Sequence, residues 1–288
     1  MTDLLPSGEG EKNDDKEDEF IPCRDDYSWP RLRDVIASKS LHTTLEDLLH
    51  GIYKPEVFGV FGIVPDKTFM LQGPPGVGKT LSVKALRNEL NLHGVNATYA
   101  PYDIGTYGTA YINLGAVQLK TFFDHGRKLA HKGNTVLYFF DEAEVLMSHR
   151  ENHSRSHKED EKLLTTLMSA LQDIKAYGER EYVFFATNFP EGIDEAAVRA
   201  GRIDRVILFP LPEFDERRRA YEHYVSDINK KAQYNVLSGV DCVRLSRASD
   251  GFNYADIAAV VEASVREEAY LVLRQKVENR MLELPVVT

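Results

Sequence analysis

Five short runs of apolar and β-prone residues recur along this chain, and between them the apolar positions fall into helical spacing. Phe69-Met70-Leu71, Asn96-Ala97-Thr98-Tyr99-Ala100, Thr135-Val136-Leu137-Tyr138-Phe139-Phe140, Tyr182-Val183-Phe184-Phe185-Ala186 and Val206-Ile207-Leu208-Phe209 read as strands. The third and fourth are continuous enough to be buried on both faces of a parallel sheet. Helical spacing runs from Val35-Ile36-Ala37 through Leu41, Leu45, Leu48 and Leu49 to a stop near Gly51, then from Leu81 to Leu92, from Leu114 to Ala130, and from Lys162 to Lys175. Residues 148–161 are polar and read as a loop. Beyond Pro212 the strand signals stop, and residues 214–232, 241–249 and 254–282 read as helices. The alternation predicts an α/β fold: a parallel-sheet domain over residues 27–211, with ligands at the carboxyl ends of its strands, followed by a small all-helical domain over 212–288.

Charge changes this picture at one end only. The net charge is −10 over 288 residues, but residues 1–26 alone carry ten acidic residues against three basic, leaving the rest mildly acidic. That segment is too polar to repay its ordering entropy and is expected to be a disordered acidic tail, either solvating or docking. No basic patch stands out, so nucleic acid is a disfavoured partner. No apolar run is long enough for a membrane helix, and the first residues are acidic where a signal peptide would be basic. Two cysteines, Cys23 and Cys242, give neither a disulfide framework nor metal-ligand spacing. A cytoplasmic location, or a nuclear one, is expected.

The chemistry concentrates after the first strand. Gly73-Pro74-Pro75-Gly76-Val77-Gly78-Lys79-Thr80 fits the phosphate-binding pattern G-x-x-x-x-G-K-[ST], between a strand and the helix that Leu81 continues. Glycines let backbone N–H groups curl around an anion, and a helix N-terminus adds partial positive charge at the same point. Lys79 is then expected on the β- and γ-phosphates of ATP and the Thr80 hydroxyl on Mg²⁺. Asp141 ends the third strand, placed to hold Mg²⁺ through water, and Glu142 beside it can polarise an attacking water. Asn188, at the end of the fourth strand, can help to position that water. Read without the phosphate loop, the same carboxylates would be a strand ending in a solvated turn.

On these residues the chain resembles the AAA+ ATPases, and within them the AAA clade in the narrow sense. The resemblance covers roughly residues 27–288 and rests on Gly62-Ile63-Val64-Pro65-Asp66-Lys67, the phosphate loop, Phe140-Asp141-Glu142, Ala186-Thr187-Asn188, and the stretch from Ile193 to Arg205. It implies a P-loop NTPase domain with a helical lid, and a Mg-dependent ATP hydrolase. The oligomer implied is a homo-oligomeric, hexameric ring that remodels or unfolds a macromolecule, most naturally protein. A nucleic-acid loader and a low-turnover ATP-binding scaffold are the alternatives. Arg199 and Arg202 are implied to be arginine fingers acting on a neighbouring subunit's γ-phosphate, although by themselves they read equally well as surface charges. Gly251-Phe252-Asn253-Tyr254-Ala255-Asp256-Ile257 corresponds to the lid segment facing the nucleotide, placing Ala255 there, with Tyr254 where the clade prefers glycine. Tyr224 falls where a histidine often lies near adenine.

Two further readings stay open. The loop from Gly105 to Gly115 stands where the clade's first pore loop projects, with Tyr111 the nearest aromatic for gripping an extended polypeptide, or for packing the loop onto the sheet. His149, His153 and His157 recur every fourth residue, which suits either a metal-binding helix face or a solvated loop.

Overall fold

A computed structural model describes residues 29–102, 114–147, 157–192, 202–232 and 236–278. Five parallel strands, β1 (Thr68–Gln72), β2 (Ala97–Tyr102), β3 (Thr135–Phe140), β4 (Glu181–Thr187) and β5 (Arg205–Leu208), form one sheet in the order β2-β3-β4-β1-β5. The helices are α1 (Lys39–Tyr53), α2 (Glu56–Val60), α3 (Lys79–Leu92), α4 (Leu114–His131), α5 (Ala143–Met147), α6 (His157–Tyr177), α7 (Phe214–Lys231), α8 (Cys242–Ala248) and α9 (Tyr254–Glu278). All five predicted strands are present, within a residue or two at their ends.

The apolar runs are continuous because helices cover both faces of the sheet. Phe69, Leu71, Leu137, Phe139, Tyr182 and Phe184 pack with Leu45, Leu49, Val83 and Leu86 of α1 and α3. The intervening Met70, Val136, Tyr138, Phe140, Val183 and Phe185 pack on the other face with Leu119, Phe122 and Phe123 of α4 and with Leu167 and Leu171 of α6. The period of two along each strand sends alternate side chains into two separate cores. A third, smaller core joins α7 and α9 through Tyr221, Ile257 and Val261, with Leu245 of α8 packed against it. It is fastened by Arg217, buried on α7, which donates to the carbonyls of Pro212 and of Ser246 on α8 and pairs with Asp250.

The sequence expectations fail in four places. Pro55-Glu56-Val57-Phe58 carries no helical signal, yet Glu56–Val60 forms α2. Val35-Ile36-Ala37 is not helical: a short 3-10 turn covers Leu32–Asp34, the chain then runs extended, and α1 starts only at Lys39 behind the Ser38 cap, whose hydroxyl accepts from Leu41 N–H. Hydrophobic burial of Val35 and Ala37 against the sheet core, not helical periodicity, explains their apolar character. Helix α6 begins at His157, five residues before the predicted Lys162, because its first turn is polar and gives no apolar signal. Helix α5, directly after the two carboxylates, had no forecast. The loop containing Tyr111 lies outside the described residues, as do residues 1–26, His149 and His153. No helix among the described residues is long and apolar enough to cross a membrane.

Candidate nucleotide site

The parallel register brings the ends of three strands to one edge. Gln72 pairs with Thr187, and Phe140 with Phe185, so Gly73, Asn188 and Asp141 leave the sheet side by side. Gly73 must be glycine here, since a Cβ would lie 2.1 Å from the carbonyl oxygen of Phe209. Beyond it the chain turns through Gly76 and Gly78, whose φ angles of 72° and 92° lie in the left-handed region. Gly78 caps α3 without any side-chain hydrogen bond, so the amides of the first turn of α3 face the cleft with their partial positive charge.

Lys79, the first residue of α3, is only 7% exposed. Its ammonium donates to the carbonyls of Gly73 (2.6 Å) and Pro74 (2.8 Å) and to Asn188 Oδ1 (2.9 Å). Burial lowers its pKa from the ordinary lysine value, opposed by the nearby charges of Asp141 and Glu144. The ammonium is thereby fixed at the junction of the loop and β4. Thr80 Oγ1 faces Asp141 Oδ2 at 3.4 Å. Next to Asp141, Glu142 is exposed and holds a φ of 52°, the one non-glycine residue among those described with positive φ. Its N–H donates to Asp141 Oδ1 at 3.0 Å, and its carbonyl accepts from Val145 N–H at the start of α5. A left-handed glutamate costs about 1–3 kcal/mol, sustained here by the strand behind it and the helix ahead.

These groups open into a cleft of about 450 Å³ lined by Pro75, Gly76, Val77, Gly78, Lys79, Thr80, Leu81, Asp141, Glu142, Asn188 and Ala255, all expected from the sequence, and by His223, Tyr224 and Tyr254 from the helical region. Gly73 and Pro74 contribute their carbonyls to Lys79 and do not line it. Asp34, Val35 and Ile36 complete the wall and were missed by sequence reasoning. Ile36 packs into the small helical core, and Ala37 O accepts from Arg219 of α7 at 2.8 Å. A buried apolar pair ahead of the first cap residue was the only signal available for them. Tyr254, despite replacing glycine, brings its backbone to the loop and donates its N–H to Gly76 O at 3.1 Å.

Arg202 lies away from this cleft. Its Nε is buried without a hydrogen-bond partner among the described residues, and its carbonyl accepts from Thr68. Arg199 lies outside the described residues. No cluster of three or more His, Cys, Asp or Glu able to hold a metal exists among the described residues. One hydroxyl facing one carboxylate, both hard oxygen donors, suits an ion that keeps most of its water and shares phosphate ligands, which is the habit of Mg²⁺.

A model of the ATPase family associated with various cellular activities (AAA) matches residues 69–211. Among curated proteins, the chain is 34% identical over 209 residues to the proteasome-activating nucleotidase of Methanothermobacter thermautotrophicus, covering 72% of this chain and 47% of that protein. It is 32% identical over 223 residues to the proteasome-activating nucleotidase of Archaeoglobus fulgidus, covering 75% and 52% respectively. Identity to proteasome-activating nucleotidase 2 of Haloferax volcanii is 32% over 208 residues, covering 72% and 46%. The chain spans about half the length of the curated relatives it matches.

Proposed function

Because this chain belongs to the AAA family of ATPases, we propose that it hydrolyses ATP with Mg²⁺ in a ring of identical subunits and uses the energy to unfold or remodel protein substrates. In this reading residues 27–211 bind the nucleotide and residues 212–288 act as its lid. The observation that carries it is the convergence of Lys79, Thr80, Asp141, Glu142 and Asn188 on one cleft closed by Tyr254 and Ala255.

The residues divide the work by position. The loop amides and the buried Lys79 ammonium bind the phosphates as donors already fixed in place by the fold. Glu142, exposed beside them and turned out of β3, polarises the attacking water and accepts its proton, while Asn188 restrains the direction of attack. Thr80 and Asp141 would hold Mg²⁺, which supplies charge neutralisation on the β- and γ-phosphates. Arg202, and Arg199 with it, reach the γ-phosphate of the next subunit, a reading supported by an Arg202 Nε that has no hydrogen-bond partner among the described residues.

The protein-substrate reading draws on the relatives, which are named for activating a proteasome. An unfolded polypeptide should stimulate ATP turnover, and a folded reporter with an unstructured extension should lose its structure only when ATP is hydrolysed. Steady ATP turnover indifferent to any polypeptide would refute the substrate class and leave the hydrolase.

A further inference from the structure

Strand β1 delivers the phosphate loop at one end, and at its other end it grips the segment that carries Arg202. Thr68, fully buried at the start of β1, places its Oγ1 2.6 Å from Arg202 O and accepts the N–H of Asp204 at 3.0 Å. The Asp204 carboxylate takes the N–H groups of Lys67 (2.9 Å) and Thr68 (3.0 Å) on one oxygen and the ammonium of Lys175 on the other. Burial pushes this carboxyl up, but the hydrogen bonds from Lys175, Lys67 and Thr68 outweigh it and hold its pKa below the ordinary value. The backbone around Arg202 is thus held from both sides: by the Thr68 hydroxyl at its carbonyl, and two residues on by a carboxylate with partners on both oxygens.

We propose that Thr68, held in register by Asp204, is a positioning residue for Arg202: it ties the guanidinium offered to a neighbouring subunit to the strand that carries this subunit's own phosphate loop. The inference rests on the reading of Arg202 as acting in trans. A hydroxyl is needed because it must donate to Arg202 O and accept from Asp204 N–H at once, which valine cannot do. A rigid support is needed because a guanidinium displaced by about 1 Å from a transferring phosphoryl group forfeits much of its effect. Lys67 and Thr68 together feel any shift of β1, so binding at the loop and placement of Arg202 share one rigid element.

Thr68→Val keeps the side-chain shape and removes the hydroxyl, while Thr68→Ser keeps the hydroxyl. The expected result is a fall in kcat of about tenfold for Thr68→Val, with ATP affinity by calorimetry within about twofold of the parent, and recovery in Thr68→Ser. Mixing Thr68→Val with Glu142→Gln should restore turnover, because an intact base then meets a well-placed Arg202, whereas mixing it with Arg202→Ala should not. A hydroxyl with a merely structural role would show no such selectivity. Full turnover in Thr68→Val beside a dead Arg202→Ala overturns this inference alone. So does a Thr68→Val chain that loses ATP affinity along with turnover. Full turnover in Arg202→Ala overturns the reading beneath it as well.

Discussion

The backbone N–H of Tyr254 donates to the carbonyl of Gly76 at 3.1 Å, so the helix that closes the cleft is fastened to the loop that forms its floor. The fit is close: a Cβ at Gly76 would lie 2.6 Å from Asn253 Oδ1 and 3.0 Å from Ala255 Cβ. Asn253 Oδ1 cannot simply step aside, because it accepts Asp256 N–H at 2.8 Å while Asp256 accepts Asn253 N–H in return. Gly76→Ala also forces alanine to a φ of 72°. The expected outcome is a loss of ATP affinity of about tenfold or more, with a stability cost of about 1 kcal/mol, read by calorimetry and by thermal unfolding. Unchanged affinity would mean that the lid segment and the loop do not meet when ATP binds.

Binding and turnover should separate by residue. Lys79 is buried in the floor of the site and Glu142 is exposed at its rim. Lys79→Ala should abolish ATP binding. Glu142→Gln should bind ATP normally and turn over slower by about two to four orders of magnitude. Phosphate release at saturating ATP checks the second; normal hydrolysis by Glu142→Gln would remove the role given to that carboxylate.

Lys67 predicts a pH dependence of stability. It is 6% exposed, donates to Glu179 O at 2.9 Å and lies 4.3 Å from the Tyr182 ring centre. Burial lowers its pKa to about 8, with Glu181 and Glu179 opposing. Between pH 8 and the ordinary lysine value of 10.5 the unfolded chain binds the proton more tightly than the folded one. Stability therefore rises with pH across that window, by up to about 1.4 kcal/mol per pH unit from this group. Below pH 8 the penalty for the buried charge is fully present. Lys67→Met should lack this slope, so urea midpoints of the two proteins at pH 7.5, 9 and 10 should draw together as the pH rises, if Lys67→Met is the more stable at the start. A constant difference across the series would refute the assignment.

Gly126 on α4 tests the sheet core without touching the cleft. A Cβ there would come within 2.1 Å of the Tyr138 hydroxyl, which is held by Glu181 Oε1 at 2.7 Å and lies 3.3 Å from Phe123 O. Gly126→Ala is expected to cost about 1–3 kcal/mol by overpacking. ATP affinity of the folded fraction should be unaltered. A thermal midpoint within error of the parent would mean that α4 can lift away from β3.

What the sequence made legible follows from range. The strands could be found because burial on both faces writes an unbroken apolar run such as Thr135 to Phe140, and the phosphate loop because its backbone demands Gly76 and Gly78. Asp34, Val35 and Ile36 escaped because their place in the cleft depends on distant partners: Leu32 N–H donates to Glu89 on α3, and Arg219 on α7 holds Ala37 O. No local periodicity encodes either contact. The left-handed backbone of Glu142 was equally invisible, since glutamate has no preference for it and the conformation is imposed by β3 and α5.

The strand order has a consequence for how the chain is made. Strand β1 lies between β4 and β5, so both of its neighbours are synthesised after it, and 136 residues separate Thr68 from Asp204. While the polypeptide is emerging, Phe69, Met70 and Leu71 have no sheet to join. The nucleotide loop at their end gains its shape only once the chain through Leu208 has been released. β2 and β3 can pair early; β1 can join only after β4 has been made, and β5 can then close the edge on β1 alone, so the wait for β4 is the interval in which a nascent chain of this kind is most exposed to aggregation.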